Sequence, residues 1–175
     1  MELKQGYNLV FANRGFYSWA IRKMTKWKWT HAGTIYDNQE ADGHVIVAEA
    51  LEDGFKKHKH EISKLEKMAR NGRLLVRKVP NKIKTYSPTL VINRYIGIKY
   101  GKIQVFFNAL SILFKRQIKG DKDKTFTCSE GVQVCNKEMT YGKVDIAKEF
   151  GVTQDYVYPC HIARSVQLID VMQSE

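Results

Sequence analysis

The chain has 175 residues, 43% of them hydrophobic and 27% charged. That balance, with no low-complexity tract, fits one folded domain over 1–175 and excludes a disordered or fibrous chain. The formal net charge of +11 reads equally as a surface for polyanions or an anionic membrane and as solubility of a lysine-rich protein, and the most apolar stretch, 103–114, is far below the roughly 20 residues of a membrane span.

Taken in order, residues 7–12 read as a first strand. Phe16, Tyr17, Ala20, Ile21 and Met24 recur at helical spacing over 16–24, and Trp27-Lys28-Trp29 then mixes aromatic and basic residues. Two β-like runs, 31–36 and 45–50, flank an Asp/Asn/Gly-rich turn, the pattern of a hairpin. Residues 56–67 are strongly basic and read as a loop leading into a short exposed helix. Residues 74–79 form another strand, closed by Pro80. Ser87-Pro88 is a helix start, with serine as cap and proline in the first turn, and that helix runs to about Ile96. The apolar 103–114 reads as a buried helix and 119–124 as a charged linker. A helix begins at Cys128, a short one covers 145–150, and 166–172 closes the chain as a strand. The order predicts an α+β fold, a small, mainly antiparallel sheet or partial barrel packed against helices.

The chain holds three cysteines, an odd number, and its start lacks a basic region followed by an apolar run. Both point to reduced thiols in the cytoplasm. Thr127-Cys128-Ser129-Glu130 carries the spacing of a capping box, which places Cys128 at the first helical position. There the unbonded N–H groups and the helix dipole favour a thiolate and could also hold an oxyanion. Cys135 lies two turns later, too far along the helix for a disulfide with Cys128, and reads as core. Cys160-His161 reads as an extended pair whose side chains point apart, a poor dyad.

A thiolate needs a base, and an imidazole needs an orienting partner. His58 and His60 lie in a Lys-Lys-His-Lys-His run and read as solvated surface. His31 begins a strand. With the hairpin turn centred near Glu40, His31 and Glu49 are equidistant from it and pair across the strands on one face; a slip of one residue would separate them. No Cys-x-x-Cys or His-Glu-x-x-His spacing occurs, so neither a metal nor a cofactor is expected.

Thr30-His31-Ala32-Gly33-x-Ile35, then Val47-Ala48-Glu49-Ala50 with Gly54 beyond it, then Cys128-Ser129-Glu130-Gly131-Val132 together resemble the circularly permuted branch of the NlpC-type papain-like cysteine peptidase superfamily, and its YiiX-like group best. Gly6-Tyr7-Asn8-Leu9-Val10-Phe11 resembles the opening strand of that family. The resemblance implies a Cys–His–Glu constellation at Cys128, His31 and Glu49, with Cys128 as nucleophile, His31 as base and Glu49 as orienting group. It also implies an amidase, peptidase or lipid-acting hydrolase. Two departures stand out, Gly131 in place of an apolar residue and Asn8 in place of an acidic one.

Three functions follow as expectations. The first is a thiol hydrolase of an amide or isopeptide bond, working through an acyl-enzyme on Cys128. The second is a lipid ester hydrolase or acyltransferase using the same triad at a membrane surface, which Trp27 and Trp29 beside lysines would suit; the same rings are also read as core or pocket wall. The third is a non-enzymatic basic binder of nucleic acid, disfavoured as the sole role because no nucleic-acid motif is present.

Overall fold

The computed structural model describes residues 3–39, 42–101 and 125–171; the helix expected over 103–114, the linker over 119–124 and the turn centre at Glu40 lie outside them. Strands β1 (Asn8–Phe11), β2 (His31–Gln39), β3 (His44–Leu51), β4 (Gly54–Glu61), β5 (Leu74–Lys78) and β8 (Ile169–Asp170) form one sheet in the order β4-β3-β2-β1-β5-β8. Every pairing in it is antiparallel. Two short strands, β6 (Lys99–Tyr100) and β7 (Thr125–Phe126), pair in parallel beside it. The helices are α1 (Phe16–Thr25), α2 (Ile62–Arg70), α3 (Pro88–Asn93), α4 (Cys128–Met139), α5 (Ile146–Glu149) and α6 (Pro159–Arg164). The fold is α+β.

All four residues of β1 are buried, because helices cover both faces of the sheet at its centre. Leu9 and Phe11 pack with Ile35, Val45, Val47, Val76 and Leu65 of α2. Val10 packs on the other face with Trp29, Ala32, Val132 of α4, Ile146 and Ile162. A strand covered on both sides reads in sequence as a continuous apolar run. A third cluster, including Ala48, Ala50, Phe55, Val91, Ile92, Phe126 and Cys135, fixes α3 and α4 against the β2–β3 hairpin.

Buried polar groups set the seat of α4. Asn8 is fully buried. Its Nδ2 donates to Oδ1 of Asn136 at 3.0 Å, and its Oδ1 accepts from the Thr34 hydroxyl at 3.0 Å. Asn136 Nδ2 in turn donates to the carbonyl of Val132 at 2.9 Å. Each donor and acceptor on this path has a partner, so two strands and a helix are held in one register at little desolvation cost. This explains asparagine where the resembling family carries an acid.

Four expectations need correction. Residues 56–61 are not a loop but the body of β4, paired along its whole length with β3. As the outer strand of the sheet it takes its order from the backbone ladder, and lysines suit an edge. Cys160 and His161 lie in the first turn of α6, started by Pro159, not on an extended segment. Ser87 and Pro88 do start α3 as N-cap and first residue, but the Ser87 hydroxyl makes no bond to the helix amides and meets that of Thr89 at 2.9 Å, and the helix ends at Asn93, short of Ile96. Of the strand expected over 166–172, only Ile169–Asp170 among the described residues is strand, paired with Lys78 and Arg77.

Candidate active site

The expected capping box is present. The Glu130 amide donates to the Thr127 hydroxyl at 3.3 Å, and the Thr127 amide donates to the Glu130 carboxylate at 3.4 Å. Cys128 is therefore the first residue of α4 and is buried. Gly131 is the next point of contact. A Cβ there would lie 2.8 Å from the Phe55 ring, so Phe55 fills the space that a side chain at 131 would need.

The start of β2 brings the histidine to the thiol. There the His31 ring and the backbone N–H groups of Ala32 and Ser129 act on the Cys128 thiol and lower it. Nε2 of His31 lies 2.5 Å from Oε2 of Glu49, which leaves Nδ1 for the thiol. The three residues named from the sequence thus stand together, although the register differs from the symmetric one. Glu49 faces Gly33 across the ladder, not His31, and the pairing shifts between Ile35 and Asp37 at a bulge. The offset is two residues, an even number, so His31 and Glu49 still share a face and meet diagonally. Gly33 opens that diagonal: a Cβ there would lie 2.6 Å from Val47 Cγ1 and 3.1 Å from the Glu49 Cβ.

Sequence reasoning placed His58 and His60 on a solvated surface; both turn instead toward Glu49. His60 Nε2 lies 2.7 Å from Oε1 of Glu49. His58 Nδ1 lies 3.5 Å from the same oxygen, a buried atom with no hydrogen-bond partner, while its Nε2 lies 3.7 Å from Asp53. The alternation His58-x-His60, with period two, was the available signal for a shared strand face.

These contacts decide the charges. Burial works against ionising Glu49, but hydrogen bonds from His31 and His60 hold its carboxyl down at about 2. Burial likewise opposes a charged His31; the Cys128 thiolate and Glu49 carboxylate outweigh it and raise the imidazole above its ordinary range. Burial opposes a thiolate at Cys128, and His31 with the Ala32 and Ser129 amides overcomes it, lowering the thiol. Both shifts run toward charge separation between the Cys128 thiol and the His31 ring. The other cysteines go the other way: burial pushes Cys135 up to about 12 and Cys160 up to about 11. His161, held down at about 4 by burial and Arg164, donates nothing to a thiolate; its Nδ1 accepts from the Tyr158 amide at 3.2 Å. Of the tryptophans at 27 and 29, Trp29 is core, whereas Trp27 is exposed with the Arg164 guanidinium 4.7 Å from its ring.

With the fold and this geometry in hand, the chain resembles the crystal structure of the metalloprotein YiiX from Escherichia coli O157:H7. The TM-score is 0.60 at 16% identity, covering 98% of this chain and 97% of that one. The fold is YiiX-like. No family model matches the chain, and no curated protein matches it. At that identity the likeness speaks for architecture alone. Among the described residues, no three His, Cys, Asp or Glu side chains are arranged to hold a metal ion. The Nε2 atoms of His31 and His60 are both engaged by the Glu49 oxygens. The described residues therefore do not fit a metal centre. No described helix is long and apolar enough to cross a membrane.

Proposed function

We propose that this chain is a thiol hydrolase of amide or isopeptide bonds, of the permuted papain-like, NlpC type, acting through an acyl-enzyme on Cys128. The observation that carries the reading is the thiol of Cys128 at a capped helix start, paired with a histidine whose other nitrogen is held by a buried carboxylate. The thiolate attacks the substrate carbonyl carbon and forms the C–S bond. The helix cap engages the Glu130 amide, which leaves the N–H groups before it to face the sulfur and the developing oxyanion. The His31 imidazolium gives its proton to the leaving amine as the C–N bond breaks. Water then loses a proton to His31, attacks the thioester and releases the acid, and the thiolate–imidazolium pair is restored. Glu49 keeps the ring oriented and supports its positive charge throughout.

A lipid ester is the second reading, favoured by one observation. Residues 3–36 contain no Asp or Glu, and in that segment Trp19 and Trp27 are exposed at 53% and 41%. An aromatic and basic surface suits an anionic interface.

The test is intact-mass detection of an acyl adduct on Cys128 during turnover of a panel of peptide amides, isopeptides and phospholipid esters, with Cys128→Ser and His31→Ala as controls. An adduct from amides supports the first reading, and one from esters alone selects the second. With no adduct from any substrate, and polyanion binding that survives Cys128→Ser, the basic surface would be the function instead.

A further inference from the structure

We infer that His60 is a positioning residue of this site, gripping Glu49 from the side opposite His31, so that the working unit is Cys128–His31–Glu49–His60. This rests on the hydrolase reading. The two carboxylate oxygens are divided between two imidazoles: Oε2 lies 2.5 Å from His31 Nε2, and Oε1 lies 2.7 Å from His60 Nε2. Phe11 braces both rings, with centroids 5.5 Å from His31 and 6.0 Å from His60, the latter stacked. Glu49 itself is 2% exposed. A buried carboxylate held at one oxygen alone is free to turn about that bond, and its second oxygen goes unsatisfied. The bond from His60 removes both defects and fixes the direction in which Glu49 presents Oε2.

The charged surroundings are defined. Glu49 is faced by His31 from β2 and by His58 and His60 from β4, with Asp53 behind His58 and Lys56 paired to Asp53 at 3.0 Å. His60 opens on its other side into a cavity of about 380 Å³ lined by His44, Lys59, Glu61, Lys64 and Leu65. His60 therefore joins the buried carboxylate to a second opening. Both histidines hold the Glu49 carboxyl low. Without the His60 donor, burial remains and the carboxyl rises. Glu49 then protonates at a higher pH and releases His31, and the Cys128 thiolate is lost with it.

The experiment is the pH profile of Cys128 alkylation by iodoacetamide in the full chain, for the parent, His60→Phe and His60→Gln. Phenylalanine keeps an aromatic ring against Phe11 but has no donor; glutamine keeps a donor. The expected result is an acid limb displaced upward by about one pH unit in His60→Phe, with a roughly tenfold slower rate at a fixed pH on that limb, and a near-parental limb in His60→Gln. Superimposable limbs in all three would overturn the inference while leaving the hydrolase reading intact. So would a uniform slowing in His60→Phe with no displacement, which is the mark of packing alone. A parent whose Cys128 shows no activated thiolate would remove the hydrolase reading and this inference together. If His60→Phe does not fold, His60→Leu takes its place as the donorless variant: a displaced limb in it beside a parental limb in His60→Gln supports the donor role, and superimposable limbs overturn it.

Discussion

Replacing Glu49 by Gln separates the charge of this side chain from its shape. The carboxyl is depressed from 4.5 to about 2 in the folded chain. At about 1.4 kcal/mol per tenfold change, that amounts to about 3 kcal/mol of folding free energy tied to the charge. The sign follows from the depression. The contribution is complete above about pH 4.5 and fades as the pH falls toward 2. Glutamine is nearly isosteric and can accept one bond and donate another, so part of the network survives. A chain of this length loses roughly 2–4 °C of Tm per kcal/mol, which puts the expected drop for Glu49→Gln at roughly 5–10 °C at pH 7. Thermal and urea denaturation at pH 7 and at pH 3, parent against variant, measures it. The deficit should be large at pH 7 and clearly smaller at pH 3. An equal deficit at both values, or none at pH 7, would show that Glu49 acts through shape and refute the charge argument.

Gly131→Ala gains about 1 kcal/mol of helix propensity but drives a Cβ to 2.8 Å from the Phe55 ring. The overpacking costs about 1–3 kcal/mol, so the urea midpoint should fall, and Phe55→Leu in the same chain should recover part of it; a single variant more stable than the parent would contradict the packing account. Asn8→Asp sets an ionised carboxylate against Oδ1 of Asn136 in a fully buried site, at a cost of several kcal/mol, and its loss of stability should deepen as the pH rises above the ordinary carboxyl range; a parent-like midpoint at pH 7 counts against it. Glu130 is held up at about 7 by burial. A carboxyl raised in the folded state weakens folding as the pH climbs from about 4.5 to 7, by about 3 kcal/mol in all. Glu130→Gln should flatten that decline, and denaturation curves at pH 5 and 8 would reveal an unchanged slope if the burial argument fails.

Much of the site was legible because its parts are local. The capping box needs only Thr127 and Glu130, and it fixed Cys128 at a helix start without knowledge of the packing. The hairpin was legible from two alternating runs around a polar turn, but its register was not. The bulge between Ile35 and Asp37 leaves no mark in composition, and the pairing of His31 with Glu49 survived only because the offset was even. His60 was missed for a different reason. Its strand is an edge strand of lysines and histidines, without the apolar period that identifies a half-buried strand, and its partner is a carboxylate on the neighbouring strand, offset along the ladder. Trp27 and Trp29 show the same limit. They sit two residues apart in a basic run, yet one is core and the other exposed, a division set by the tertiary fold.

The measurement that bears most directly on the central claim is the pH dependence of Cys128 alkylation, followed by peptide mapping of Cys135 and Cys160 in the same sample and repeated with His31→Ala. The account predicts fast labelling of Cys128 alone well below the ordinary thiol range, with Cys135 and Cys160 protected by burial and by thiols raised to about 12 and about 11, and a marked loss of Cys128 reactivity without His31. Slow labelling of Cys128 with an ordinary thiol profile, indifferent to His31, would contradict it.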